Sequence, residues 1–136
     1  MPEPDQAPGT PREWLSRARS HLTLAKTPKP DGVYWEEMAF HCQQAAELAI
    51  KAVYQLRGRP FAYTHDIADL LSTLASTDLS IPPRVKEALV LTKYASKSRY
   101  PGTFRPITEE KFRDAFRRAT DVVSWAASII DAQPTT

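Results

Sequence analysis

Read along the chain, the apolar positions keep spacings of three and four, the mark of helices with one buried face. Thr10-Pro11-Arg12-Glu13 opens the first such run with a hydroxyl N-cap, a proline at the first helical position and a glutamate placed to complete a capping box. Trp14, Leu15, Ala18, Leu22 and Ala25 then share one face, so a first helix is predicted to about Lys26, where Thr27-Pro28-Lys29-Pro30-Asp31-Gly32 breaks it. A second and longer helix is predicted from about Val33 to Arg57. Met38, Cys42, Ala45, Ala46, Ala49, Ile50, Val53 and Leu56 hold the spacing throughout, and Gly58 follows as a C-terminal cap. Its length and apolar content mark it as the central helix.

Arg59 to Tyr63 reads as a connector, and Thr64 is placed to cap a short third helix carrying Ile67, Leu70, Leu71 and Leu74. Pro82-Pro83 opens a fourth, with Val85, Ala88, Leu89 and Tyr94 as its buried stripe. Pro101, Gly102 and Pro106 keep the segment from Lys97 to Pro106 from being helical throughout. Thr108-Glu109-Glu110 starts the fifth helix, with acids in the first turn favouring the dipole. Phe112, Ala115, Phe116, Ala119, Val122, Val123, Ala126, Ile129 and Ile130 form its broad apolar face.

No segment alternates with the period of two that a half-buried strand requires, and no repeat unit recurs. The fold class expected is therefore all-α: an antiparallel, up-and-down bundle of about five helices. Helices 1, 2, 4 and 5 are its expected main layers and helix 3 a crossing piece. The wide face of helix 5 fits either a homodimer or a helix that is central within one chain. A length of 136 residues with 42% apolar and 25% charged content suits one core, placed over 11–132. Residues 1–10 read as a disordered lead-in and 133–136 as a flexible tail.

No run approaches the about 18 apolar residues of a membrane span, and the N-terminus lacks a basic-then-apolar signal, so the expected location is cytoplasmic, without a membrane partner. Cys42 is the single cysteine and falls on the apolar face of helix 2 beside His41. A buried small hydrophobe is the reading preferred over a nucleophile. Four glycines and no His-Glu-x-x-His or paired cysteines leave no phosphate loop, dinucleotide turn or metal motif, so neither cofactor nor metal is expected. The net charge of +2 is unevenly spread. Residues 84–118 carry ten Lys and Arg against four acids, a local excess of +6, while the remainder nets −4. That excess suits a phosphate or nucleic acid, or else a solvated face complemented elsewhere in the fold.

Two interruptions between helices carry candidate chemistry. In Tyr63-Thr64-His65-Asp66, an imidazole beside a carboxylate at a helix start suits general acid/base work or anion binding, with plain capping as the alternative. In Lys97-Ser98-Arg99-Tyr100-Pro101, with Arg105 close behind, cations and an aromatic ring suit phosphate contact and base stacking, with a surface turn as the alternative.

Taken together, Trp14-Leu15 and Ala18, the run Phe40 to Ala52, Thr64-His65-Asp66-Ile67, and Ser98-Arg99-Tyr100-Pro101 resemble the HEPN domain, the all-α module named for higher eukaryotes and prokaryotes nucleotide-binding. The resemblance spans residues 12 to 130. It implies a five-helix bundle, usually a homodimer, often encoded beside a minimal nucleotidyltransferase as half of a toxin–antitoxin pair. Many members are metal-independent ribonucleases whose motif is an arginine followed, after four to six residues, by a histidine. Here the window after Arg99 holds Phe104, Arg105 and Pro106 and no histidine, while Arg59 and His65 match only formally. The resemblance thus implies a nucleotide- or RNA-binding module, with Arg99, Tyr100, Arg105, His65, Lys51 and Gln44 contributing to a polar pocket. For Lys51 and Gln44 the alternative is the exposed face of helix 2. The runner-up is a ribonuclease in which His65 deprotonates a ribose hydroxyl while Arg99 and Arg105 stabilise the phosphate. A purely structural dimerisation module is the third reading.

Overall fold

The Thr10 hydroxyl accepts the Glu13 amide at 3.1 Å and so opens helix α1, Pro11–Lys26. The glutamate returns its bond to the N–H of Gly9 at 2.7 Å, one residue outside the cap, so the capping box is widened by a residue. The computed structural model describes residues 9–61, 63–95 and 106–132, and every regular element among them is helical.

Helix α2, Trp35–Leu56, begins later than its apolar spacing predicts: Val33 closes a turn onto the Pro30 carbonyl at 3.1 Å, and Tyr34, still extended at φ −82° and ψ 149°, stands as the N-cap. Its end follows the sequence. Gly58 adopts φ 64°, and the Gly58 and Arg59 N–H groups donate back to Gln55 and Tyr54, closing the helix as a Schellman motif.

Helix α3, Ile67–Ala75, is capped by Asp66, not by Thr64 as the sequence suggested. The Asp66 carboxylate accepts from Ala68 and Asp69 (2.9 and 3.4 Å), while the Thr64 hydroxyl accepts the Asp66 amide at 3.0 Å and supports the cap from behind. A carboxylate one residue from the helix reaches two orphan amides at once, which the hydroxyl further out cannot. The Ile67 N–H goes instead to the Thr92 hydroxyl at 3.0 Å, tying the start of α3 to the next element.

That element departs most from expectation. After one α turn, α4 (Pro83–Lys86), the chain tightens into a 3-10 helix over Glu87–Tyr94. With three residues per turn, one face collects every third position, and Val85, Ala88, Leu91 and Tyr94 are all buried. Leu89, expected in the buried stripe, is instead 48% exposed. Helix 4 is accordingly a short strut and not a main layer.

Helix α5, Glu109–Asp131, is capped by Thr108, whose hydroxyl accepts from Lys111 at 3.2 Å. The main packing sets α2 between α1 and α5. Trp14 meets Phe61 just beyond the end of α2, and His21 meets His41 near its start, so α1 runs antiparallel to α2. The rings of Trp35 and Phe112 stack at 5.1 Å, bringing the starts of α2 and α5 together. One apolar cluster draws on every helix, and each fully buried Leu, Ile or Val in it contributes about 1.5–3 kcal/mol. Phe116 and Ile129, on the broad face of α5, are partly buried and pack against this core. Cys42 is fully buried, as its position predicted, and burial pushes its thiol up to about 12. Among the described residues, no helix is long and apolar enough to cross a membrane.

Candidate functional site

Because α2 is enclosed by its neighbours, even its polar stripe is buried. Gln43, Glu47 and Lys51 stand at successive four-residue steps on one line of the helix and are 0%, 3% and 8% exposed. Gln43 Nε2 donates to Glu47 Oε1 at 2.8 Å, and Lys51 Nζ donates to Glu47 Oε2 at 2.9 Å. The Lys51 ammonium also lies 4.9 Å from the centre of the Phe61 ring. A buried charge persists only when paired and hydrogen-bonded, and here the carboxylate and ammonium neutralise one another.

The fourth member comes from the loop before α3. His65 Nδ1 lies 2.9 Å from Glu47 Oε1, while the imidazole itself is 71% exposed. An ionised carboxylate only accepts, so Nδ1 carries the proton toward Glu47 and Nε2 is left for solvent or a ligand. Burial pushes the Glu47 carboxyl up, but the bonds from Lys51, His65 and Gln43 outweigh it and hold the group below its ordinary value. The site is therefore an anchored imidazole, able to accept a proton at Nε2 when neutral or to donate to a phosphate oxygen when charged. Gln43 Oε1 is buried without a donor.

Of the residues nominated from the sequence, His65 and Lys51 meet here through Glu47. Lys51 is buried in an ion pair, which rules out the exposed-face alternative for it. Gln44 is only partly exposed, and it is its neighbour Gln43 that joins the network. Arg99, Tyr100 and Arg105 lie outside the described residues, as do Lys97, Ser98 and Pro101. Glu47 and Gln43 were missed as site residues, although the four-residue spacing of Gln43, Glu47 and Lys51 was visible on a helix too apolar to have a solvated side. Part of the basic excess is spent inside the fold: Arg113 pairs with Glu109, and Arg117 and Arg118 with Asp114. Arg84, Lys86, Lys93 and Lys111 have no carboxylate partner among the described residues. No cluster of three or more metal-ligating side chains occurs among those residues.

The structure is thus an all-helical bundle whose central helix buries a Glu–Lys pair beneath an exposed histidine. The chain belongs to the HEPN domain family, whose model matches residues 11–130. In fold it is similar to TT1696 from Thermus thermophilus, at 33% identity and a TM-score of 0.76, over 87% of this chain and 96% of that one. It is also similar to ST0689, an archaeal HEPN homologue, at 27% identity and a TM-score of 0.70, over 89% of this chain and 98% of the other. No curated protein matches the chain. Family membership supports a nucleotide-related module in general.

Proposed function

We propose that the chain is a nucleotide- or RNA-binding module in which His65 meets the ligand phosphate. The observation that carries this reading is the 2.9 Å contact between the buried Glu47 carboxylate and the exposed His65 imidazole. A ring held on one side by a fixed anion loses little freedom when its other nitrogen takes up a phosphate. The basic run around Arg84, Lys86 and Lys93 supplies long-range attraction, and Arg99, Tyr100 and Arg105 are assigned to the same ligand by the family resemblance. From that resemblance come also the homodimeric state and the minimal nucleotidyltransferase partner of a toxin–antitoxin-type pair. Lys51 acts through Glu47 and does not contact the ligand.

A second reading is favoured by the same geometry. A carboxylate that fixes the tautomer and orientation of an imidazole is the arrangement general bases use, so His65 Nε2 could deprotonate a ribose hydroxyl and open a metal-independent ribonuclease pathway.

The test is titration of a labelled single-stranded RNA with the protein at several salt concentrations without added metal, followed on the same samples by gel analysis of RNA length. Salt-sensitive binding that weakens in His65→Ala and Arg99→Ala, with the RNA intact, is the expected result. Cleavage abolished by His65→Ala and by Glu47→Gln would establish the second reading in its place. No binding and no cleavage at high protein concentration would reject both and leave the dimerisation module.

A further inference from the structure

Where α1 lies against α2, two imidazoles face each other across the seam. His21 of α1 and His41 of α2 are half-buried, and their Nδ1 atoms are 3.0 Å apart. The ring centres are 5.2 Å apart at an interplanar angle of 31°, so the rings meet nitrogen to nitrogen and not face to face. As it stands the contact is a hydrogen bond, in which one Nδ1–H donates to the lone pair of the other ring. A neutral imidazole can equally carry its proton on Nε2, and when both rings do so two lone pairs face one gap. His41 stands six positions before Glu47 on α2, about 9 Å along the axis and on another face of the helix, so the pair is separate from the His65 site.

The geometry points to a binding site for a divalent transition-metal ion of the zinc type, shared by His21 and His41 and fastening α1 to α2. Bonds from zinc to imidazole are about 2.0–2.1 Å long, so two of them set their nitrogens about 2.9 Å apart at a right angle and about 3.3 Å apart at the tetrahedral angle. The 3.0 Å between the Nδ1 atoms falls inside that range. A turn of each ring, with its proton moved to Nε2, aims both lone pairs at one ion beside the present contact. Imidazole suits zinc, copper and nickel, whereas calcium and magnesium take oxygen ligands. No third His, Cys, Asp or Glu completes a cluster among the described residues, so water fills the remaining positions. The ion therefore exchanges, unlike the four-ligand ion of a structural zinc site. Only the folded chain brings together these two residues, twenty positions apart, so binding favours the packed α1–α2 pair.

The site is tested by calorimetric titration of the tag-free whole chain with zinc chloride, with magnesium and calcium chloride as the hard-ion comparisons. Urea unfolding with and without zinc, and proton NMR of the imidazole rings, are measured on the same preparation. The expected outcome is one zinc per chain, saturating below about 1 mM, with a urea midpoint that rises with zinc and returns on adding a chelator. Affinity should be at least about tenfold weaker in His21→Gln and in His41→Gln and unchanged in His65→Ala. Circular dichroism establishes that each variant keeps its helices. The unaltered chain supplies an independent reading, because zinc should move the ring signals of two of its three histidines and leave the third in place. Magnesium or calcium binding as tightly as zinc would overturn the proposal, as would the absence of saturable binding or a response confined to one ring. So would binding lost in His65→Ala and retained in the His21 and His41 variants, which would place the ion at the Glu47–His65 pair.

Discussion

Glu47 and His65 are 18 residues apart in the chain and 2.9 Å apart in the fold, and the buried partner fixes the exposed one. Glu47 gives one oxygen to His65 and Gln43 and the other to Lys51, so every change around it acts through the same carboxylate.

Removing the ammonium strands that carboxylate. Lys51→Met is expected to cost about 3–5 kcal/mol in urea unfolding, the usual effect of breaking a buried ion pair from one side. Glu47→Gln in the same background restores part of the loss, because no buried charge then remains. A coupling of at least about 1 kcal/mol between the two positions is expected, and strictly additive losses would show that the pair is not the unit described.

His65→Ala should behave oppositely. With its ring mostly in solvent, the substitution is expected to change stability by no more than about 1 kcal/mol while removing the phosphate contact. A large fall in urea midpoint would mean that His65 serves the fold and not a ligand.

Acid should destabilise the protein in two separate windows. His21 faces His41 with the Nδ1 atoms 3.0 Å apart, and burial first, then the neighbouring ring, lowers its pKa below 6.5. The folded state thus resists its protonation, so stability is full above about pH 6.5 and declines as pH falls toward the folded value. Glu47 is also depressed, from 4.5, so its contribution holds above that pH and is lost as pH drops through the folded value. Urea midpoints measured from about pH 8 to about pH 3 should fall twice. His21→Gln should flatten only the upper step, and a curve unaltered by that change would remove His21 from the account.

The 3-10 segment makes a register prediction. Leu91→Ala should cost about 2–4 kcal/mol, since Leu91 is fully buried, whereas Leu89→Ala should cost no more than about 0.5 kcal/mol. Equal losses at the two positions would indicate an α-helix there.

These positions also show what the sequence could disclose. Helices α1, α2 and α5 were legible because caps and apolar spacing agree: Thr10, Gly58 and Thr108 each stand where their helix starts or stops. The fourth helix was misread because Leu89 and Leu91 are chemically alike, and only the pitch of the backbone decides which is buried. At the candidate site, His65 and Lys51 stood out as reactive types, yet the carboxylate that joins them was hidden in an apolar helix. Gln43 and Gln44 differ by one position, about 100° around the helix, and an enclosed helix gives no solvated side by which to choose between them. The meeting of Glu47 with His65 depends on how the loop after Gly58 folds back, which local spacing does not encode.

Cys42 has a use outside any biological role. Its sulfur is sealed between packed helices and its thiol is held up to about 12, so alkylating reagents at neutral pH reach it only when the bundle opens. The rate at which this one thiol is labelled therefore counts opening events of the central helix. The native chain carries its own timer for the motions that would expose its core.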